Sequence, residues 1–294
     1  MMRSLYSGVS GLRNHQTRMD VIGNNIANVN TTAFKTSRTV FQDVFSQTIG
    51  AASASTPNLG GTNPSQIGLG VMLGTIDTLF TTGATQRTDN PSDLKLDGDG
   101  FFVVDINGAD TGGLRFTRAG NFYVDNIGQL VTSEGYFVMG YSLYTPVVPP
   151  ATGPGTVVPL PDPNTLTETN LAKIDLSAYT NISFDTKGVV SGYTSNGDKV
   201  AIAQIALAMF TNNSGMEKTG GSLYDWSANS GAPDYTIVGY KGAGGMSPGA
   251  LEMSNVDLAN EFTDMIITQR GFQANSRIIT VSDTMLEELV NLKR

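Results

Sequence analysis

Hydrophobic side chains recur in steps of three and four residues, or multiples of these steps, at both ends of the 294-residue chain. Near the start they are Leu5, Val9, Leu12, Met19, Ile22, Ile26 and Val29. Near the end they are Leu258, Phe262, Met265, Phe272, Ile279, Leu286 and Val290. This spacing aligns side chains on one face of an α-helix. It predicts a helix over residues 4–29, and a second helix that begins near Asn255 or Asp257 and ends near Leu292.

The C-terminal pattern keeps a seven-residue register in which Gln269, Ser276 and Asp283 take three seam positions. A sustained seam of this kind is buried against another helix. We therefore expect the terminal helices to pair as a coiled coil, and the same seams could also join copies of the chain. Polar seam residues would fix the register of pairing. The predicted assembly interface comprises Leu5, Val9, Leu12, Met19, Ile22, Asn24, Asn25, Ile26, Leu258, Phe262, Met265, Gln269, Phe272, Ile279 and Leu286.

The middle of the chain has the pattern of short β-strands separated by turns rich in Gly, Asn and Asp. The predicted strands cover residues 69–80, 94–96, 101–106, 114–117, 121–124, 129–131, 136–139, 174–176, 182–184, 188–191, 199–210 and 235–240. Residues 211–234 and 241–249 are predicted to be loops. Short strands with frequent turns are typical of an antiparallel sandwich or barrel. The predicted fold class is α+β, with paired terminal coiled-coil helices flanking a mainly antiparallel sandwich or barrel body.

Four regions follow from these patterns. Residues 1–30 and 255–294 form the helical domain, and residues 69–144 with 171–254 form the β body. Residues 31–68 are predicted to be a linker or extended arm, with partly helical structure over 31–49. Within it, residues 50–68 are either a linker or an arm that orders against neighbouring subunits. Residues 145–170 contain seven prolines and are predicted to be a loop or a vestigial insertion.

Composition narrows the possible partners. The sequence lacks an apolar run long enough to span a bilayer, and its first residues lack the apolar core of a cleaved secretory signal. The net charge of −8 argues against nucleic-acid binding, which needs a basic surface. Charged residues make up 15% of the chain, below the usual value of about 25%. This shortfall suggests that much of the surface meets protein rather than water.

The sequence offers little catalytic chemistry. It contains no cysteine and only one histidine, His15, so thiolate chemistry and a Ser-His-Asp triad are disfavoured. The acidic residues between Asp97 and Asp110 fit hairpin turns better than a calcium loop. We expect no enzymatic activity, cofactor or metal. Arg115 and Arg118 are open to two interpretations: an inter-subunit salt bridge, or charges that keep a strand edge soluble.

Several motifs in fixed order resemble those of the bacterial flagellar rod and hook family. They are SLYSGVSGL at Ser4–Leu12, MDVIGNNIAN at Met19–Asn28, TAFK at Thr32–Lys35, DGDGFFV at Asp97–Val103, FTRAGNF at Phe116–Phe122, SNVDL at Ser254–Leu258 and EFTDMI at Glu261–Ile266, followed by Gln269 and Arg270. Ala33 stands where the family more usually has glycine. The resemblance implies a hollow tube of identical subunits lined by terminal helices, with subunits that pass unfolded through the flagellar export apparatus.

Within the family, the opening and closing segments most resemble a compact hook protein of Gram-positive type. This implies an extracellular universal joint whose partners are the distal rod protein, the hook cap protein and the hook–filament junction protein. The short 145–170 segment leaves no room for a large outer domain, which keeps a distal rod protein as the alternative. A coiled-coil adhesin or a glycan-active enzyme are remote alternatives from other classes, because neither explains the motif series.

Overall fold

The computed structural model describes residues 2–55, 60–108, 113–145, 156–157, 166–167, 170–195 and 197–292. Most of the proline-rich 145–170 segment, together with Lys293 and Arg294, therefore lies outside the described residues. The described chain is α+β, with one long helix near each end and mostly antiparallel sheets between them. The helices are α1 (Met2–Ala27) and α2 (Leu258–Asn291).

The strands are β1 (Ser37–Asp43), β2 (Ser46–Gly50), β3 (Ser65–Gly68), β4 (Val71–Thr78), β5 (Thr85–Arg87), β6 (Leu94–Asp97), β7 (Phe101–Asp105), β8 (Leu114–Thr117), β9 (Phe122–Val124), β10 (Leu130–Thr132), β11 (Phe137–Ser142), β12 (Tyr144–Thr145), β13 (Thr156–Val157), β14 (Ala172–Lys173), β15 (Thr180–Phe184), β16 (Val189–Tyr193), β17 (Lys199–Ile205), β18 (Leu207–Met209), β19 (Glu217–Gly220), β20 (Leu223–Asp225), β21 (Asp234–Thr236), β22 (Gly245–Pro248) and β23 (Ala250–Glu252).

The chain divides into two compact units. The first contains Met1–Val29, Thr36–Leu79 and Val256–Arg294, and the second contains Asn30–Lys35 and Phe80–Asn255. The first unit therefore combines both helices with strands β1 to β4. The second unit contains all the remaining strands.

In the first unit, helix α2 begins where the sequence predicts. The Asp257 carboxylate accepts hydrogen bonds from the backbone N–H groups of Ala259 and Asn260, which would otherwise lack partners in the first helical turn. Helix α1 begins at Met2, two residues before the predicted start at Ser4.

The prediction of partly helical structure over residues 31–49 is wrong. Strand β1 pairs with β4 from Ser37↔Thr78 to Asp43↔Val71, and β2 pairs with β3 from Ser46↔Gly68 to Gly50↔Ser65. Along β1, half-buried residues such as Thr39 and Phe41 alternate with exposed Arg38 and Val40. This period of two defines a strand, and the apolar positions alone did not distinguish it from a helix.

The second unit is built on a 13-stranded sheet. Its main path runs β15-β16-β17-β11-β7-β8-β20-β19, and the strand pairs along it are antiparallel. The β9–β10 hairpin joins the path through β11, and β18 joins it through β7. Strands β6 and β22 form a separate pair, as do β5 and β23.

Central strand β7 is buried on both faces, which explains its unbroken apolar sequence. Phe102 and Val104 face one hydrophobic cluster, and Phe101 and Val103 face another. The Phe101 ring meets the Phe210 ring edge-on, with 5.7 Å between centroids. Such aromatic pairs add about 0.5–1.5 kcal/mol beyond the area that they bury.

Most of the predicted strands lie within a few residues of observed ones. The strands β19, β20, β22, β5 and β23 were missed entirely, as was β3 in the predicted linker. The first three lie in segments predicted to be loops, because Gly, Ser and Asn dominate there. The pairing of β19 with β20, of β20 with β8 and of β22 with β6 supplies the stabilisation that their local sequence lacks.

A buried carboxylate joins three segments at the margin of the second unit. Glu252 forms ion pairs with Lys35 and Arg118, and all three side chains are almost fully buried. Its Oε1 atom also accepts a hydrogen bond from the Gly83 N–H at 2.9 Å, and its backbone oxygen accepts one from Ala33 at 2.8 Å. Glu252 therefore joins three parts of the chain: residues 30–35, residues 80–83, and the loop between strands β8 and β9.

The two cations of this cluster have further partners. Lys35 Nζ donates to the Thr81 carbonyl at 2.7 Å, and Arg118 Nη2 donates to the Gly98 carbonyl at 2.6 Å. The Arg118 guanidinium also lies 5.4 Å from the Phe101 ring centroid. Burial lowers the pKa of Lys35, while the neighbouring Glu252 carboxylate opposes that shift. Removing the carboxylate would therefore leave two buried cations without their anion.

We expect Glu252→Gln to destabilise the second unit by about 3–5 kcal/mol, because it breaks a buried ion pair from one side only. Urea unfolding followed by the emission of Trp226, the only tryptophan, measures this change. Glu287→Gln removes the same charge from an exposed position of α2 and should have little effect. Equal unfolding midpoints for the two variants would contradict the role assigned to Glu252.

Candidate assembly interface

Helices α1 and α2 pack side by side in opposite directions. Arg18 Nη2 lies 3.1 Å from Asp264 Oδ2, and Asn25 Nδ2 lies 3.1 Å from Glu261 Oε1. Nearer the start of α1, Gly11 faces Asn275. Because positions rise along one helix as they fall along the other, the pair is antiparallel.

The face of α2 with the least exposure follows alternating steps of four and three residues. Its members are Glu261, Met265, Thr268, Phe272, Asn275, Ile279 and Ser282. Apolar side chains therefore alternate with polar ones along this face. The hydroxyls of Thr268 and Ser282 donate to backbone oxygens one turn back, those of Asp264 and Ile278, so their burial leaves no unpaired hydroxyl donor.

The residues of the predicted assembly interface differ in how exposed they are to solvent. Ile22 and Asn25 are buried; Leu5, Val9, Leu12, Met19, Ile26, Met265, Phe272 and Ile279 are half-buried; Asn24, Leu258, Phe262, Gln269 and Leu286 are exposed. At the three polar seam positions, Gln269, Ser276 and Asp283 are exposed, and the preceding residues Thr268, Asn275 and Ser282 lie on the less exposed face. The apolar periodicity of the sequence could not identify Thr268, Asn275 and Ser282, because all three residues are polar.

Small residues allow the helices to approach closely. A Cβ atom built on Gly11 would lie 2.5 Å from Asn275 Nδ2, and one on Gly271 would lie 2.8 Å from His15 Cε1. Real Cβ atoms do not come this close to neighbouring atoms, so each glycine makes room for a polar side chain of the opposite helix.

Asn25 connects both helices with strand β1. Its Nδ2 atom donates to the Ser37 carbonyl at 2.8 Å as well as to Glu261, and its Oδ1 accepts from the Ser37 N–H at 3.1 Å. Partial burial raises the pKa of Glu261, although the hydrogen bond from Asn25 favours the carboxylate. This node fixes the register of three elements in the first unit.

His15 lies between the helices and strand β1. Its ring meets the Phe41 ring edge-on, with centroids 6.0 Å apart, and its buried Nδ1 atom has no hydrogen-bond partner among the described residues. Burial, and then the nearby charge of Arg18, lower the pKa of His15 below its usual value of 6.5. The site therefore favours the neutral imidazole.

Many exposed apolar side chains lie outside the contact between the two helices. On α2 they include Phe262, Ile266, Ile267, Ile278, Val281, Met285, Leu286, Leu289 and Val290, and exposed Leu292 follows directly after the helix. The β2–β3 hairpin is exposed on both faces, and Phe45 at its base is 86% exposed. Neighbouring exposed apolar side chains, such as Phe262 and Ile266 one helical turn apart, are typical of surfaces that bind other proteins.

Arg115 and Arg118, whose roles the sequence did not decide, both have partners within the second unit. Arg118 belongs to the buried Glu252 cluster, and Arg115 Nη2 lies 3.2 Å from Asp225 Oδ2. Neither is therefore needed for an inter-subunit salt bridge.

Two further features concern the part of the chain that the structure describes. Neither described helix is apolar enough along its length to cross a membrane. Within the same part of the chain, no group of three His, Cys, Asp or Glu side chains is arranged to hold a metal ion.

Comparison with known protein families identifies the class of protein to which the chain belongs. Residues 5–35 match a family described as flagella basal body rod protein, and residues 95–192 match the flagellar hook protein FlgE/F/G D1 domain. Residues 247–292 match the flagellar basal body rod FlgEFG protein C-terminal family. The matched segments cover most of both helices and much of the β region, so the chain is a flagellar structural protein rather than an enzyme.

Relatives of full length define the family further. The chain is 47% identical over 295 positions to the flagellar basal-body rod protein FlgG of Bacillus subtilis, with both chains fully covered. It is 32% identical to FlgG of Caulobacter vibrioides over 294 positions, covering 99% of this chain and all of the relative. It is also 32% identical over 445 positions to the flagellar hook protein FlgE of Borreliella burgdorferi, with both fully covered. The chain belongs to the flagellar rod and hook family.

We expect Gly11→Leu to destabilise the helix pair by about 1–3 kcal/mol, because the added side chain displaces Asn275. Gly23→Leu is the matched control. It lies in the same helix with open space around it, and should be neutral or stabilising because leucine favours helix over glycine. Thermal unfolding followed by far-UV circular dichroism compares the two, and equal losses would contradict the close approach.

We expect the helix pair to lose stability as the pH falls from about 7.5 to about 5.5. The pKa of His15 is lowered in the folded protein, so the unfolded chain takes up a proton first and unfolding becomes more favourable below its usual pKa. Glu261, whose pKa is raised, works in the opposite direction at lower pH. His15→Gln should flatten the slope of unfolding free energy against pH, and an unchanged slope would exclude His15 as its source.

Proposed function

We propose that the chain is a structural subunit of the flagellar distal rod, the drive shaft of the basal body, and that it self-assembles into a helical tube. The observation that carries this proposal is the end-to-end match to rod proteins. The alignment with FlgG of Bacillus subtilis spans 295 positions, almost the length of this chain. The alignment with FlgE of Borreliella burgdorferi spans 445, so that hook protein carries segments with no counterpart here.

The alternative is the hook itself, which the opening and closing motifs favoured. The identity to the hook proteins of two spirochaetes, 32% and 31%, is below the 47% identity to the rod protein of Bacillus subtilis, which supports the rod over the hook. The short space at residues 145–170 agrees with this preference. The hook cap and hook–filament junction partners belong to the hook alternative, whereas a flagellar location and the export apparatus are shared by both.

In the proposed tube, the helix pair forms a coiled coil that lines a central channel. The alternating face of α2 is used within the subunit, which leaves Phe262, Ile266 and their exposed neighbours for other copies. A helical tube is an open assembly, in which each subunit uses two different surfaces to bind its neighbours. The exposed β2–β3 hairpin acts as the extended arm that orders against the next subunit, since an isolated two-stranded hairpin is marginally stable.

Negative-stain electron microscopy of concentrated full-length protein tests the assembly. We expect straight, rigid tubes for a distal rod protein, whereas curved or flexible tubes would support the hook alternative. Discrete particles under the same conditions would contradict self-assembly of the purified chain.

Phe262→Asp should abolish tubes without unfolding the subunit, because this side chain is 50% exposed and its loss spares the helix pair. Leu12→Asp or Phe272→Asp should also abolish tubes, but by separating α1 from α2 while the β unit stays folded. Gln273→Asp introduces the same charge at an exposed polar position and should still allow tubes. Normal tubes from Phe262→Asp would remove the exposed face of α2 from the interface.

A further inference from the structure

Asparagine or aspartate stands directly before glycine in four dipeptides of the chain: Asp97–Gly98, Asp99–Gly100, Asn107–Gly108 and Asn196–Gly197. In such a dipeptide the backbone nitrogen of the glycine can attack the side-chain carbonyl carbon before it and close a five-membered imide ring. Glycine has no Cβ atom to hinder this approach. Asparagine reacts more readily than aspartate, because ammonia leaves the side chain more easily than hydroxide. The folded structure decides which dipeptide is free to react.

The fold holds both aspartate dipeptides in place. The Asp97 carboxylate accepts hydrogen bonds from Lys95 Nζ at 2.6 Å and from the Ser247 hydroxyl. It cannot turn toward the next backbone nitrogen without giving up both partners. In the second dipeptide Gly100 is buried, so a ring that joins it to Asp99 would have to form inside a close-packed interior.

The dipeptide Asn107–Gly108 has neither restraint. It lies in the connection between strands β7 and β8, where Asn107 is exposed. The backbone N–H of Asn107 donates to Asp105 Oδ1 at 2.9 Å. Among the described residues, neither the Asn107 carboxamide nor the Gly108 N–H has a hydrogen-bond partner. Because the two residues are adjacent, rotation about the bonds of Asn107 is enough to bring the reacting atoms together.

A cation lies beside the reacting nitrogen. Lys173 Nζ donates to the Gly108 carbonyl at 2.7 Å, and a Cβ atom built on Gly108 would lie 3.7 Å from the same nitrogen. A nearby positive charge stabilises the anionic form of a group, here the deprotonated backbone nitrogen that attacks the side chain. The Asp105 carboxylate opposes this effect, and it faces the N–H of Asn107 rather than that of Gly108.

The reaction needs only water. The Gly108 nitrogen gives its proton to solvent and forms a bond to Cγ of Asn107, and the side-chain nitrogen of Asn107 leaves as ammonia. Water then adds to one of the two imide carbonyls and breaks the bond from that carbonyl to the ring nitrogen. Opening at the former side-chain carbonyl gives aspartate. Opening at the main-chain carbonyl gives isoaspartate, in which the main chain runs through the former side chain.

We propose that Asn107 of the folded protein deamidates spontaneously, which makes the β7–β8 connection a site of covalent ageing. The inference goes beyond the proposed function, since it concerns the single folded subunit. The new carboxylate is attracted by Lys173 and repelled by Asp105. Isoaspartate also lengthens the main chain next to Ile106, whose N–H donates to the Gly113 carbonyl at 3.2 Å. An aged subunit therefore differs from a new one in both the charge and the backbone of this hairpin.

Peptide mass spectrometry of the natural full-length protein, after incubation in neutral buffer, tests the inference. The peptide that contains Asn107 should gain the mass of an amide-to-acid change with time and separate into aspartate and isoaspartate forms. Asn126 is the internal control, because it is exposed in the β9–β10 turn but is followed by β-branched Ile127, which hinders ring closure. Its peptide should stay unchanged. Asn107→Gln keeps the amide but moves it one carbon further from the backbone, and should abolish the mass gain.

The same incubation in urea separates the effect of the fold from that of the sequence. The unfolded chain should gain mass at both asparagine–glycine dipeptides, those of Asn107 and Asn196. If Asn107 reacts in urea but not in the folded protein, the fold protects this dipeptide and the inference is overturned. A mass gain that persists in the same peptide of Asn107→Gln would place the reaction at another residue and also overturn it. Both results are independent of whether the chain forms tubes.

Discussion

The Glu252 carboxylate is the interaction on which the second unit most depends. It is a single buried anion between two buried cations, and it accepts a backbone hydrogen bond as well. Buried charges are costly unless each is paired, so these partners cannot be removed one at a time. The cluster holds residues 30–35 against Glu252 itself, which means that segments more than 200 positions apart in sequence meet at one side chain.

The helix pair shows a comparable division of roles. Within the subunit, α2 uses a face on which Met265, Phe272 and Ile279 alternate with polar residues, and glycines on both helices make room for Asn275 and His15. Alternating polar positions cost stability, but they specify one register. Other apolar side chains of α2, among them Phe262, Ile266 and Ile267, are exposed. The polar positions of the inner face therefore specify how the two ends of the chain pair, and the exposed apolar side chains of α2 are not used in that pairing.

The sequence predicted the parts of the fold that local chemistry determines. The period of both helices, the Asp257 cap and strands such as β7 and β8 follow from spacing, capping and turn residues. Strands β19, β20 and β22 could not be predicted, since their residues favour loops. They are ordered by the pairing of β19 with β20 and by that of β20 and β22 with the distant strands β8 and β6. The same limit applies to the interface. Apolar periodicity found Met265, Phe272 and Ile279, but Thr268, Asn275 and Ser282 are polar, and only the folded helix pair shows that they are shielded from solvent.

The low charge content of the chain goes together with a large number of exposed apolar side chains. Exposed apolar side chains occur on many elements of the described chain, among them α2, the β2–β3 hairpin and the β9–β10 turn. A single patch would suffice for a dimer, in which the same surface meets itself. Apolar side chains spread over many elements suit contacts with more than one neighbour, as the proposed homopolymer requires.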